Sequence, residues 1–279
     1  MKIYPKTNEY LEGIEEFEKT LKEYKGIEIQ YFKKSDKELV DFKIEKPIEQ
    51  ILERYPYIEE ITIHPPLCEY ELEIVLLKDK NIFLNQIKTI VRLSKKYNIK
   101  INIVEHTRLL MSQAKLTILP VLEKAKKIMK NTNTKIVFEN IYMMEEQENC
   151  SVIELCEYLN SENMKVCIDM CHLYCQAHIY KKKIEEFLEK YLNKEKCQRQ
   201  VYQIHFAYTA NEDGYIDRTT HAIMHPNEET LYYDAKLLCQ YGMGDCNWIT
   251  EVSEKDYSTR NDQVNEIKML SNQKIKLEE

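Results

Sequence analysis

Seven histidines occur in the 279 residues of this chain, and most of them stand with carboxylates at the ends of short apolar runs. His64 ends ITIH, Glu105 and His106 end KINIVEH, Glu139 and Asn140 end KIVFEN, and Asp169 ends KVCID with His172 just beyond. His205 lies in VYQIHF and Glu251 in WITEV, while Asp217, His221 and His225 fall in the long segment between these two runs. A charge placed beside an apolar run is expensive to bury without a partner. A shared divalent cation would offset that cost and collect the imidazoles and carboxylates into one site.

Each residue also has a plainer reading. His64 precedes Pro65 and Pro66 and could simply cap a strand. Glu105 and His106 are neighbours, so in a strand only one of them can face a common site. His178 starts a helix-like segment and reads as structural, and His225, before Pro226, suits a loop as well as a metal. Cys167, Cys171 and Cys175 recur every four residues, but the chain has no Cys-x-x-Cys pair. A thiolate zinc site is therefore the weaker alternative. What distinguishes Glu139, Asp169, His205 and Glu251 is their common position on four successive runs.

The elements that must position these groups alternate along the whole chain. Apolar runs at 2–4, 27–32, 61–64, 100–106, 135–140, 165–169, 201–206 and 248–252 predict strands. Amphipathic segments near 8–25, 46–55, 80–97, 112–131, 150–162, 178–195, 228–241 and 260–272 predict helices. Ile82, Leu84, Ile87, Ile90, Val91, Leu93 and Tyr97 make a plain helical stripe. Pro47 suits a first helical turn, whereas Pro120 implies a kink or a late start. Eight such β/α units fill a (β/α)8 TIM barrel, typically ~250 residues, whose functional groups gather at the carboxyl ends of the strands. An open doubly wound sheet usually carries a Gly-rich turn after its first strand, and none is present. The first strand is the least marked, being only KIY before Pro5.

Five Gly, seven Pro and no linker-like stretch favour one domain over residues 1–279, with 43% hydrophobic residues to fill its core. No window approaches the roughly 18 consecutive apolar residues of a membrane span, and no secretory signal is evident. Nine Cys without such a signal point to reduced thiols in the cytoplasm. A net charge of −7 argues against a generally basic nucleic-acid surface.

The segments ITIHPP, IVFENI, CIDMCHLY, QIHF, DGYIDRTTH and ITEVSEKDY together resemble the xylose isomerase-like barrel superfamily, which includes sugar isomerases, epimerases and endonuclease IV. The resemblance spans the chain in strand order and is most specific at 167–172. It implies that Glu139, Asp169, His205 and Glu251 hold one shared metal. It further implies that His172 and Asp217 serve a second metal or the substrate. In endonuclease IV, histidines matching His64 and His106 complete a three-zinc cluster. That enzyme has an Asp-Arg-His run where this chain reads Asp217-Arg218-Thr219-Thr220-His221, so His221 is displaced by two positions. Its Gly-rich continuations after strands five and seven are also absent, and close backbone approach to phosphates would need another means.

Two activities are expected from this pattern. The first is isomerisation or epimerisation of a small sugar or polyol, with a divalent cation holding adjacent oxygens and Glu139 and Glu251 as paired acid and base. The second is phosphodiester hydrolysis at abasic sites in DNA by a multi-zinc centre. One to three ions are expected, Zn²⁺ or Mn²⁺ ahead of Mg²⁺ because of the histidine content. A barrel that binds without turnover is a third class, disfavoured because every core ligand position is filled. The segment at about 207–227 exceeds the usual two to six residues, and it is expected to carry Asp217 and His221 to the metal. Homo-oligomers are common among similar enzymes and are compatible with the chain.

Overall fold

The computed structural model describes residues 1–31, 43–65, 72–106, 118–140, 151–192, 195–210, 222–254 and 257–278. Asp217 and His221, and hence the proposed path of their loop, lie outside the described residues. The strands are β1 (Lys2–Asn8), β2 (Gly26–Gln30), β3 (Glu60–His64), β4 (Lys100–His106), β5 (Ile136–Glu139), β6 (Met164–Asp169), β7 (Val201–Phe206) and β8 (Asn247–Thr250). Each pairs in parallel with the next, and β8 pairs with β1, so the sheet closes into a single (β/α)8 barrel. The helices are α1 (Glu18–Tyr24), α2 (Glu45–Arg54), α3 (Leu72–Tyr97), α4 (Leu119–Met129), α5 (Ser151–Leu159), α6 (Met170–Ile179), α7 (Ile184–Leu192), α8 (Glu195–Gln198), α9 (Glu228–Gln240) and α10 (Asn261–Glu278).

β1 is longer than its three apolar residues suggest. Its first half, Lys2 to Pro5, is in register with Lys2↔Asn247 through Pro5↔Thr250 on β8, and its second half, Lys6 to Asn8, with Glu28 to Gln30 on β2. Pro5, which has no N–H to donate, stands where the pairing passes from one neighbour to the other. Pro120 falls in the first turn of α4, so the helix starts late and is not kinked. α3 is interrupted at Asp79 (φ −163°, ψ 113°). His178 ends α6, which begins directly after β6 and well before the expected start near residue 178. Gly26 is required by close approach, since a Cβ there would meet the Tyr4 ring at 2.2 Å.

Alternation along the strands divides the barrel in two. Ile27, Ile29, Ile61, Ile63, Ile101, Ile103, Phe138, Ile204 and Trp248 are buried in the hydrophobic core shared with the helices. The alternate residues turn inward, and there the barrel is polar. Thr62 Oγ1 meets Gln203 Oε1 across the barrel at 3.3 Å. At its amino-terminal end the buried Glu60 Oε1 accepts hydrogen bonds from Asn102 (2.9 Å), Tyr202 (2.6 Å) and Asn247 (2.8 Å).

His225 does not join the strand-end cluster. It is fully buried in the helical layer, stacked on Phe206 with centroids 4.8 Å apart, between Glu266 of α10 and Asp234 of α9. Its Nε2 lies 3.1 Å from Asp234 Oδ2, and Nδ1 bonds Glu266. Burial alone would lower its pKa, but hydrogen bonds to Asp234 and Glu266 outweigh burial and raise it to about 9. The folded value exceeds the unfolded one near 6.5, so the contribution is complete below about pH 6.5 and lost as pH rises through 9. At full strength it amounts to up to roughly 3 kcal/mol. Urea midpoints of the wild type and His225→Gln should therefore differ most at pH 6 and converge towards pH 9.5. A pH-independent gap would rule this contribution out.

Candidate metal centre

The carboxyl ends of β3 to β8, with the first turn after β6, bring seven of the expected residues together. Glu139, at the end of β5, is the common neighbour. Its Oε1 lies 3.1 Å from His106 Nε2 and 3.4 Å from His172 Nδ1, and its Oε2 lies 3.4 Å from His64 Nε2 and 2.9 Å from His205 Nδ1. His205 Nδ1 is also 2.5 Å from Glu251 Oε2 and 3.8 Å from Asp169 Oδ2. The rings of His64 and His205 stack at 5.6 Å, and His64 and His106 lie 5.1 Å apart. Of the neighbours Glu105 and His106, it is therefore His106 that faces the site, while Glu105 is buried on the other side of β4.

Local chemistry aims these groups. The last residue of β6, Asp169, is also the N-cap of α6, and its Oδ1 accepts from the His172 amide at 2.7 Å. One short side chain thus starts the helix and offers its second oxygen to the cluster. Asn140 clamps the same corner. Its Oδ1 accepts from the Asp169 amide at 2.6 Å, and its own carbonyl accepts from His172 Nδ1 at 2.7 Å. His64 Nδ1 lies 3.0 Å from the Pro65 carbonyl. A carbonyl can only accept, so Nδ1 carries the proton and Nε2 turns its lone pair inward.

Beneath the cluster lies a pair that the sequence analysis did not assign, Lys6 of β1 and Glu28 of β2. Lys6 Nζ is 2.9 Å from Glu28 Oε1 and 2.6 Å from Glu251 Oε1, with 8% of its side chain exposed. Glu28 Oε2 accepts from Gln203 Nε2 at 2.8 Å and faces His205 Nε2 at 3.1 Å. Carboxylates thus face both nitrogens of His205, Glu28 at Nε2 and Glu139 and Glu251 at Nδ1, and together with Cys167 they hold its pKa well above the ordinary value; a cation would take the place of the Nδ1 proton. Burial disfavours every charge here, but the neighbours win. Lys6 is held well above its ordinary value by Glu251 and Glu28, and Glu28 is brought down to about 2 by Lys6 and His205. Likewise His106 and His205 hold Glu139 well below the carboxylate range, and His205 and Lys6 do the same for Glu251. Glu139 raises His106, whereas burial and Lys6 lower His64 and keep its imidazole neutral.

The donor set fits a divalent cation. His64 Nε2, His106 Nε2, His205 Nδ1, Glu139 Oε2 and Glu251 Oε2 are buried atoms that face one another with no hydrogen bond to satisfy them. Within 4.8 Å of one another lie ligand atoms of His64, His106 and Glu139, of Glu139, Asp169 and His172, and of Asp169, His205 and Glu251. Cys167 reaches Glu139 and His205 in the same sense, although burial pushes its thiol up to about 12. Cys171 instead turns its thiol to the carbonyls of Ala207 and Tyr208 at 3.4 Å. No group of three thiols forms among the described residues.

A closed parallel barrel with a carboxylate–histidine centre at its strand ends defines a class of metal-binding TIM barrels. The defining pattern of the xylose isomerase-like TIM barrel family matches residues 19–235, and the chain belongs to that family. No curated protein matches the chain. Among solved structures it is similar to the IolI protein with a bound zinc atom (15% identity, 99% of this chain and 98% of that one, TM-score 0.65). It is also similar to a D-tagatose 3-epimerase-like protein (16%, 100% and 98%, TM-score 0.63). Endonuclease IV from Thermus thermophilus is similar too (13%, 96% and 98%, TM-score 0.57). At these identities the likeness shows the fold.

Lys6 was hidden because Pro5 looks like the end of a strand. Glu28 did carry a signal, a carboxylate between Ile27 and Ile29 in a strand covered on both faces. Glu28→Gln keeps the shape but removes the charge that orients His205 and balances Lys6. Zinc affinity, measured by competition with a chromophoric chelator, should fall by roughly 10–100-fold, as for other outer partners of ligating histidines. An unchanged affinity in a folded variant would show that Glu28 does not serve the metal.

Proposed function

We propose that this chain is a divalent-metal-dependent hydrolase of phosphodiesters, with abasic-site DNA as its first candidate substrate. The observation that carries this reading is the position of Glu139. Its two oxygens face different histidines, His106 and His172 on one side and His64 and His205 on the other. That is the arrangement of a carboxylate shared between ions, and it leaves three ligand groups joined through Glu139 and Asp169. A one-ion set leaves His64 and His106 over. Two or three ions, zinc by the nature of the donors, would be held by these residues and would supply Lewis acidity and an activated water at neutral pH.

The residues of the chain divide the remaining work. His64 and His205 are fully enclosed, whereas the side chains of His106, His172 and Glu251 keep 11%, 11% and 19% exposure. Substrate therefore approaches past these three. Lys6 holds Glu251 Oε1, which leaves the buried Oε2 to the ions. Asp217 and His221 are proposed as further ligands on the segment after β7. The free state of every described cysteine supports placement in the cytoplasm.

A second reading rests on a narrower observation. Glu139 and Glu251 both contact His205 Nδ1, at 2.9 and 2.5 Å, so with Asp169 they form a complete one-ion set. Such a set, with its paired glutamates as acid and base, suits isomerisation or epimerisation of a small sugar.

Elemental analysis of protein purified without added metal separates the two. Two or three zinc ions per chain with cleavage of abasic-site duplex are expected. Glu139→Gln should lower both metal content and cleavage, the latter by about 100-fold or more, given that outer partners of such ligands are already worth roughly 10–100-fold. One ion per chain and turnover of a ketose would establish the second reading. No metal, even after reconstitution, would remove both.

A further inference from the structure

At the end of the barrel opposite the metal centre lies a concavity of about 940 Å³. Its walls are the carboxyl end of α4, the segment joining α4 to β5, and the segment joining α5 to β6, with Tyr202 of β7 at its floor. Lys100, Lys126, Lys127, Lys130 and Lys135 line it. A chain of net charge −7 thus gathers five ammonium groups at one opening. Lys126, Lys127 and Lys130 complement the dipole at the end of α4. Lys100, at the start of β4, also faces the buried Glu60 Oε2 at 3.8 Å, and Lys135, just before β5, lies over the Tyr202 ring at 5.1 Å.

The walls are braced. Asn163 Nδ2 donates to the carbonyls of Thr132 (3.0 Å) and Thr134 (2.8 Å), Lys126 Nζ to Leu159 O (2.6 Å), and Lys135 Nζ to Glu162 O (2.8 Å). These bonds tie the two segments across the opening. Each ammonium has three donors, so Lys126 and Lys135 keep donors for a ligand. The two acidic lining residues are already engaged, Glu123 with Lys126 at 3.9 Å and Glu162 with Lys165 at 3.3 Å. Lys127 and Lys130 are exposed and make no ion pair among the described residues. Lys135 is partly buried and crowded by Lys165 and Lys100, so burial first and these charges second weaken its hold on its proton. An anion between them would relieve that crowding.

We propose that this cavity is a second binding site, for a small molecule bearing a chain of phosphates, gripped by Lys100, Lys127, Lys130 and Lys135. The volume suits a small-molecule ligand, which such pockets hold at roughly 300–1,000 Å³. The site is independent of the metal centre and of the activity proposed for it.

Calorimetric titration with inorganic triphosphate, and separately with ATP, in buffer without added metal tests the proposal. The full chain as purified, Lys127→Glu/Lys130→Glu and Glu139→Gln are compared. Saturable binding by wild type and Glu139→Gln is expected, weakened at least about tenfold in the double lysine variant, as loss of even one charged contact would give. Equal affinity for the two probes assigns the site to the phosphate chain alone, and tighter ATP binding to a nucleotide. No saturable binding by the wild type would overturn the proposal. So would binding that survives the lysine changes, or binding lost in Glu139→Gln, which would place the anion at the metal centre.

Discussion

Three carboxylates, Glu28, Glu139 and Asp169, are enclosed at one end of this barrel with the partly buried Glu251 beside them, and their charge has to be balanced there. Water cannot do it, and an uncompensated buried carboxylate is among the most costly features a fold can carry. The chain supplies part of the compensation itself. Lys6 spans Glu28 and Glu251, and Glu28 in turn takes the outer proton of His205. This small circuit fixes the orientation of the His205 ring and decides which oxygen of Glu251 is left over. The ligand geometry above it follows from those two facts.

Placement of the functional groups was largely legible in the sequence because a parallel barrel converts strand ends into one place. His64, Glu139, Asp169, His205 and Glu251 stood out from other polar residues by that position, with Glu105 and His106 left as a pair. The circuit beneath them was not, because it depends on residues earlier in their strands, whose partners lie across the barrel. Lys6 touches Glu251 across 245 positions of sequence, a relation no local pattern encodes. The orientation of His106 over Glu105 likewise needed the strand's register against β5. His225 illustrates the opposite failure. Before a proline in a long loop it looks available for a metal, yet it is consumed by Glu266 and Asp234 from two distant helices.

Membership of the xylose isomerase-like family accounts for the barrel and for the location of the centre, and leaves the chemistry to individual side chains. Here the decisive side chain is Glu139. In a set built only from Glu139, Asp169, His205 and Glu251, the contacts of Glu139 with His64 and His106 would have no ion to serve. Their convergence on Glu139 makes ion number, more than fold, the property that separates the two activities.

The outward isoleucines of β2, β3 and β4 have a consequence for how such a protein can change over generations. The cohesion of the molecule resides in the shell between strands and helices, to which Ile27, Ile29, Ile61, Ile63, Ile101 and Ile103 belong. The strand faces that carry Glu28, Thr62, His64 and His106 contribute little to it. Lineages can therefore exchange those inner residues, and with them the ions and substrates served, while the scaffold retains its grip. Divergence to very low identity among barrels of one shape is the expected historical trace of that separation.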